Sequence, residues 1–369
     1  MRWRNASRQG SAGASPEEAP GKAREKGGHA MAGRARPTTL QAIADQLGLH
    51  VSTVSRVLNG PSGEGGRAAS SRTAQRIRAL ADDLGYRPNP YATSLRTRRS
   101  NLVGVLVPRL SDIVLAYVYE GIEEAAAEHG LSTFVMNTQD DERTQEARAT
   151  MALDRRVDGL IFADGREGTG LFDRVAARET PFVLVNRHVG GHPAITCDDH
   201  LGGRLVAEHF LERGYENVAV IAGPSYASTA VDRAAGFVDR YREAGIVIPD
   251  DMVVESTFDT AGGRRAAETI LRGGNVPTAI FAVNDFAAIG ASGCARDHGL
   301  LTGTDIAIAG FNDTPLAAEL PVPLTSVRTP MHEMGREAVE MLLRLLSGKA
   351  AESRRLPPTL VVRKSSLLA

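Results

Sequence analysis

Residues 38–60 read TTLQAIADQLGLHVSTVSRVLNG, two short apolar-periodic runs on either side of a glycine. Leu40, Ile43, Ala44 and Leu47 recur at helical spacing and fall on one face of a first helix. Gly48 supplies the break, because glycine enters left-handed backbone conformations without a Cβ clash. A second helix then carries Val54, Val57 and Leu58 inward and leaves Val51, Ser52, Ser55 and Arg56 on its other side. A short polar face ending in arginine, on a helix held by a glycine turn, is what a major groove accepts. The bland alternative is a helical hairpin with a solvated face.

Outward from this stretch, Thr38 with Gln41 spells a capping box for the first helix. Residues 60–70 read GPSGEGGRAAS, a glycine-rich connection expected to be floppy. Ser70 or Ser71 starts a third helix whose inward face is Ile77, Leu80, Ala81 and Leu84, and Gly85 ends it as a C′ residue. Three helices can therefore close a small core. Residues 86–100, YRPNPYATSLRTRRS, carry two prolines and can serve as a plain linker or as something more specific. Residues 1–36 are rich in Gly, Ala, Ser, Pro and charge without periodicity, which predicts a disordered basic extension. Met31 precedes a short leader to the first helix, so translation is expected to begin there, with 1–30 dispensable.

The chain has 369 residues, enough for two or three domains. Its formal charge of −1 hides an asymmetry. Residues 1–100 hold 17 Lys+Arg against 7 Asp+Glu, and the remainder holds 26 against 37. A basic head on an acidic body suits a protein that touches phosphate with one end only. Part of the excess belongs to the extension, in Arg2, Arg4, Arg8, Lys22, Arg24 and Lys26. Cys197 and Cys294 are the two cysteines, so no disulfide framework is implied, and a reducing cytoplasm is the natural compartment. Neither cysteine is read as sitting in a metal-ligand spacing. No apolar run approaches the length of a membrane span, and no apolar core follows the charged N-terminus as a secretory signal requires.

From Asn101 the pattern changes. Leu102–Val107, Ser132–Met136, Gly159–Phe162 and Phe182–Val185 are short apolar runs with helical segments between them, such as Val114–His129. A second series follows at Val218–Ile221, Thr278–Val283 and Ile306–Ala309. Continuous apolar strands alternating with helices predict parallel sheets covered on both faces. Two series predict two lobes, at about 101–198 and 199–328. Helix Met331–Leu346 and a strand at Leu360–Val362 are expected to cross back between them, and ligands bind at the carboxyl ends of strands facing such a cleft.

No catalytic constellation emerges: no nucleophile elbow, no phosphate loop and no paired metal ligands. His188 and His192 are four apart but lack a third ligand, so neither a metal nor another cofactor is expected. Polar residues at strand ends are more informative. Asn186-Arg187 close PFVLVNR, Asn284-Asp285 close TAIFAVND and Asn312-Asp313 close DIAIAGFND. One such pair can merely cap the next helix, but three at carboxyl ends are hard to ascribe to capping alone.

The run from Thr39 to Asn59 resembles the headpiece of the lactose-repressor (LacI/GalR) family. The matching residues are Thr39-Leu40, Ile43-Ala44, Gly48 and Thr53-Val54-Ser55-Arg56-Val57-Leu58-Asn59. Nearly all of 101–369 resembles the periplasmic-binding-protein-like core of the same family. The resemblance implies an α/β chain. An all-α helix-turn-helix headpiece (37–85) and a hinge (86–100) precede a two-lobed, doubly wound core for effector binding and dimerisation (101–369). It also implies a homodimeric, cytoplasmic, effector-controlled transcriptional regulator, a repressor by preference, on a pseudo-palindromic double-stranded DNA operator. Thr39, Val51, Ser52, Thr53, Ser55, Arg56 and Asn59 would face DNA, with Arg56 a candidate for guanine. Ala92 and Leu95 match hinge residues that face the minor groove, where an apolar wedge kinks DNA. Asn186, Arg233, Phe258, Asn284 and Asn312 fall where family members hold their effector. Their donors, with an aromatic to stack on, suit a carbohydrate-like ligand.

The family's cap on the first helix aligns better with Thr39 than with Thr38, and departures from the pattern qualify the rest. His50 stands where the family has serine, a better N-cap, so Ser52 could cap a later helix start. The connection after Asn59 is about five residues longer than usual. Asn312 replaces the aspartate of sugar-binding relatives, Phe286 stands where a polar residue can occur, and Ile113-Val114-Leu115 replace a Pro-aromatic-aromatic signature. A less polar effector than a simple hexose, or a nucleobase, stays open. No terminal heptad run follows the last strand to support a tetramer. A secreted solute-binding protein shares the core but lacks a headpiece, and an enzyme on this fold would need a catalytic group in context.

Overall fold

The structure, a computed structural model, describes residues 38–59, 69–87 and 99–368. They fall in two compact units, one within residues 1–88 and one within 89–369. The extension, the glycine-rich connection at 60–68, the hinge residues Ala92 and Leu95, and the side chain of Asn59 lie outside the described residues.

Among the described residues, the first unit has three helices, α1 (Leu40–Leu47), α2 (Val51–Asn59) and α3 (Ser71–Asp83). Ile43, Ala44, Val54, Val57, Ala74, Ile77 and Ala81 form its buried core, with Leu58 and Leu80 packed at the margin. Gly48 takes φ +65°, and Gly85 takes φ +61° just past α3, each in the left-handed region. The Tyr86 N–H donates to the Ala81 carbonyl at 2.8 Å, which closes the end of α3.

Two local expectations are decided here. Thr39, not Thr38, caps α1, accepting from the Ala42 N–H at 3.2 Å, while the Thr38 hydroxyl donates to the Leu84 carbonyl at 2.9 Å. Helix α2 begins at Val51 without waiting for Ser52. The His50 carbonyl accepts from the Thr53 N–H at 2.9 Å, and its ring Nδ1 accepts from the Ser52 N–H at 3.3 Å, so the imidazole does a capping serine's work. Val51 is half-buried and packs at the margin of the core.

The second unit is built on two six-stranded sheets. In the first lobe, β1 (Leu102–Val107), α4 (Ile113–Glu128), β2 (Ser132–Asn137), α5 (Glu142–Asp154), β3 (Gly159–Phe162), α6 (Leu171–Ala176), β4 (Phe182–Val185) and β5 (Ala194–Cys197) follow in order. The second lobe has α7 (Asp199–Glu212), β6 (Val218–Ala222), α8 (Ser228–Glu243), β7 (Val253–Glu255), α9 (Thr260–Arg272), β8 (Ala279–Ala282) and α10 (Asp285–Asp297). It continues through β9 (Ala307–Asn312), α11 (Pro315–Glu319) and β10 (Thr325–Arg328). The chain then returns as α12 (Met331–Leu346), which packs on α4 and β4, and as β11 (Arg354–Leu356) beside β5. It crosses a third time to place β12 (Thr359–Val361) beside β10. Strand orders are β11-β5-β4-β3-β1-β2 and β12-β10-β9-β8-β6-β7, and every pairing but β10–β12 is parallel.

Parallel strands must be buried on both faces, and these are: β3, β4, β5, β8 and β9 are buried at every residue. In the second lobe Phe237 stacks on Phe281 at 5.0 Å and meets Phe210 edge-on, an aromatic wedge between helix and sheet. Because every strand but β12 points the same way within its sheet, their carboxyl ends gather on one side. The three crossings hold the lobes with those ends facing a shared cleft.

Candidate DNA-reading face and interlobe cleft

On α2 the side away from the buried Val54 and Val57 carries Ser52, Ser55 and Arg56, with half-buried Val51 and Thr53 at its margins. Arg56 is exposed, and its Nε donates to the Ser52 carbonyl at 3.3 Å, so the guanidinium lies along its own helix over the serines. Hydroxyls and a guanidinium within one and a half turns offer donors and acceptors that match base edges. Thr39 is exposed at the start of α1, its hydroxyl engaged as the cap.

In the second unit the five residues expected to hold an effector converge. Asn186, Arg233, Phe258, Asn284 and Asn312 line one inner chamber of about 30 Å³, together with Val114, Leu115 and Thr229. Asn186 and Asn312 sit at the carboxyl ends of β4 and β9 with φ of 67° and 100°. Asparagine tolerates such left-handed backbone better than most residues, and strain of this kind gathers at functional sites. The Asn312 Oδ1 is buried with no hydrogen-bond partner in the protein, an acceptor aimed at nothing the chain supplies.

Two of the five are more occupied than their sequence context implied. Arg233 is not paired with Asp232. Its Nε donates to Asp199 at 2.7 Å, its Nη1 to the Val283 carbonyl at 2.9 Å, and its guanidinium lies 3.9 Å over the Phe311 ring. Burial pushes the Asp199 carboxyl above the usual carboxylate range, against the pull of Arg233. Asn284 caps α10 by accepting from the Ala287 N–H at 2.8 Å, and its amide donates to the Phe258 carbonyl at 2.8 Å. Capping is therefore a real part of its role, and it also pins the aromatic.

The larger space lies just outside. A chamber of about 430 Å³ is walled by Phe258, Phe286 and Tyr226, with Asp112, Gln139, Asp140 and Arg187 as polar groups. Arg187 clamps Asp140 with two bonds of 2.8 and 3.1 Å, and the Tyr226 hydroxyl donates to the same carboxylate at 3.0 Å. Burial works against the Asp140 charge, yet Arg187 and Tyr226 hold its carboxyl below the usual range. At Asp112 burial wins, and the carboxyl is pushed up despite the Val114 N–H and the arginines nearby.

Tyr226 belongs to one lobe and Asp140 to the other, so their bond crosses the cleft. So do the bonds from the His188 N–H to the Ser228 hydroxyl and from the His188 ring to Asp232, each 2.9 Å. Arg166 stacks 3.4 Å over the Tyr226 ring from the first lobe. The cleft is latched shut. Sequence reasoning missed Asp140, Tyr226 and Asp112. Asp140 sits in a turn after β2 and Tyr226 in one after β6, and only their register against the other lobe marks them.

Residues 39–89 match the family described as bacterial regulatory proteins, lacI family, and residues 207–366 match a periplasmic binding protein-like domain. The HTH-type transcriptional regulator DegA of Bacillus subtilis is 32% identical over 336 residues, covering 89% of this chain and 98% of the relative. The chain belongs to the lacI family of bacterial regulatory proteins. MalR of Streptomyces coelicolor is 31% identical across 90% of this chain and 97% of its own. Among solved structures, the lac repressor dimer bound to operator and the anti-inducer ONPF superposes with a TM-score of 0.82 at 28% identity, covering 90% of this chain and all of that one. A complex of the regulator CelR with cellobiose gives a TM-score of 0.68 at 26% identity, over 89% and 99%. This lacI-family member is a helix-turn-helix transcriptional regulator with an effector-binding core. A transport role is the less supported, since the headpiece match has no place in it. Among the described residues no helix is long and apolar enough to cross a membrane.

Proposed function

We propose that the protein is a homodimeric repressor whose headpiece (37–85) reads half of a pseudo-palindromic operator. Val51, Ser52 and Arg56 reach base edges, with Thr39, Thr53, Ser55 and Asn59 beside them on the DNA side. In the hinge (86–100), Ala92 and Leu95 enter the minor groove. A small carbohydrate-like effector bound between the lobes of 101–369 changes their relation and so the affinity for DNA. The observation that carries the ligand class is the make-up of the cleft. Aromatic walls at Phe258, Phe286 and Tyr226 oppose a rim of carboxylates, amides and a guanidinium, which is the pairing a sugar's apolar face and hydroxyls require.

Size favours the outer chamber. The inner chamber, at about 30 Å³, is too small for a sugar ring. The outer chamber, at about 430 Å³, falls in the range of small-molecule sites. The ring would sit there, with one group reaching the unpaired Asn312 oxygen. That lac repressor was solved with ONPF and CelR with cellobiose supports the class.

Two experiments test this. Heparin retention of the full chain is compared with that of a chain beginning at Asn101, and loss of retention in the shorter chain is expected. Mono- and disaccharides are then screened against nucleobases for a shift in thermal midpoint and in operator affinity. A shift with nucleobases and none with sugars would replace the ligand class.

A further inference from the structure

Outside the reading face and the cleft, one group of side chains brings three kinds of ligand atom together. Glu268 Oε2, Cys294 Sγ and His298 Nε2 all lie within 4.8 Å of one another. Glu268 is on α9, Cys294 is on α10, and His298 follows the end of α10. The Cys294 thiol donates to Glu268 Oε2 at 3.1 Å, and the His298 ring lies 2.9 Å from the same oxygen. We propose that these three side chains form a binding site for one divalent transition-metal ion of borderline softness, such as zinc.

The geometry fits that ion. Thiolate, imidazole and carboxylate at about 2.3, 2.0 and 2.0 Å from a tetrahedral zinc stand about 3 to 4 Å from one another, close to the separations present. A mixed S, N, O set selects zinc or cobalt over magnesium or calcium, which take oxygen. Three protein ligands leave the fourth position to water. The thiol proton leaves for solvent as the Sγ–metal bond forms. The imidazole binds as the neutral Nδ1–H tautomer, and the carboxylate exchanges the thiol proton for the ion. Net ligand charge is −2, which balances the metal.

The scaffold holds the three atoms in place without the ion. Cys294 and His298 are four apart, so they project from one side of α10. Helices α9 and α10 lie in close contact: a Cβ on Gly263 would run into the Ala287 carbonyl, and one on Gly290 into the Thr260 carbonyl. That fixes how far Glu268 stands from its partners. Arg272 holds the other oxygen, Oε1, at 2.7 Å and leaves Oε2 facing the thiol and the imidazole, the kind of outer support that ligating carboxylates have. Cys294 is buried, whereas Glu268 and His298 are each about one-third exposed, so an ion can enter from solvent and stay shielded on one side. The sequence reading found no metal-ligand spacing for either cysteine. It missed Cys-x-x-x-His because the third ligand lies 26 residues upstream of Cys294, on a neighbouring helix.

The test uses the full, tag-free chain, reduced and stripped with a chelator, titrated with Co²⁺ alone. A site with a thiolate ligand gives a near-ultraviolet sulfur-to-cobalt band and strong visible bands of a four-coordinate ion. Both should saturate at one ion per chain and disappear when Zn²⁺ is added. Cys294→Ser should abolish the ultraviolet band, and His298→Ala should weaken binding at least about tenfold. His298 is partly exposed, so its variant keeps the fold, which circular dichroism verifies. Cys197→Ala should change nothing. Absence of a thiolate band in the wild type, or a band that survives Cys294→Ser or full affinity in His298→Ala, would overturn the site.

Discussion

Asn312 is a cleft residue with an acceptor to spare. Its Oδ1 is buried without a partner and its φ of 100° is one that glycine shares. Asn312→Gly therefore removes the acceptor while keeping the backbone. Effector affinity is expected to fall about threefold to tenfold, the worth of one neutral hydrogen bond, with the thermal midpoint near that of the wild type. Titration of the operator complex with effector measures it, and an unchanged response would take Asn312 out of the site. Arg233 behaves differently. Removing it leaves Asp199 buried and uncompensated, so Arg233→Ala should cost about 3–5 kcal/mol of core stability in urea as well as effector response. Arg233→Ala with Asp199→Ala should recover part of that loss, and a single variant as stable as the wild type would contradict the buried pair. The strand-end asparagines were legible because polar residues closing apolar runs are conspicuous. That Arg233 is spent on Asp199 and Val283 was not, since both partners come from distant parts of the chain.

At the scale of elements, α1, α2, α3 and the long buried strands were legible from periodicity. Those that escaped are β5, β7, β10 and β11. Strand β10 reads TSVR, polar residues buried by the last turn of the chain, and β7 and β11 are three-residue edge strands with exposed positions. Short edges carry too little alternation to read. One element that links the lobes is the turn after β4, where His188 meets Asp232 across the cleft. The Asp232 carboxylate raises the His188 ring above its ordinary value, with burial and Arg355 opposing. A raised histidine contributes stability that is whole below its unfolded value near 6.5 and is lost as pH rises through the folded one. Acid therefore favours the closed cleft. Both side chains are about one-third exposed, so the link is worth under about 1 kcal/mol. The urea midpoint of the core should drop slightly from pH 6 to pH 8 in the wild type and less in Asp232→Asn. Equal slopes would remove His188 as the source. In the hinge, Leu95→Ala should weaken binding to specific DNA more than to random DNA, and equal losses on both would give Leu95 a different role.

At the scale of the whole molecule, a basic N-terminal hundred residues and an acidic remainder divide the labour between phosphate and ligand. The two-lobed architecture was legible from two series of strands, but closure was not. Whether the cleft is latched depends on Tyr226 meeting Asp140 and His188 meeting Ser228, contacts no local pattern encodes. A ligand shifts such a latch only if it binds one relation of the lobes more tightly than the other. The central claim is that α2 reads DNA sequence as one half of a symmetric pair. Selection of bound sequences from random double-stranded DNA, with the full chain and with Arg56→Ala, tests it most directly. The wild type should enrich a pseudo-palindrome. Arg56→Ala should relax one position in each half-site, at a cost of about 1–3 kcal/mol. Enrichment of no sequence by the wild type, or a uniform loss on all sequences in Arg56→Ala, would contradict it.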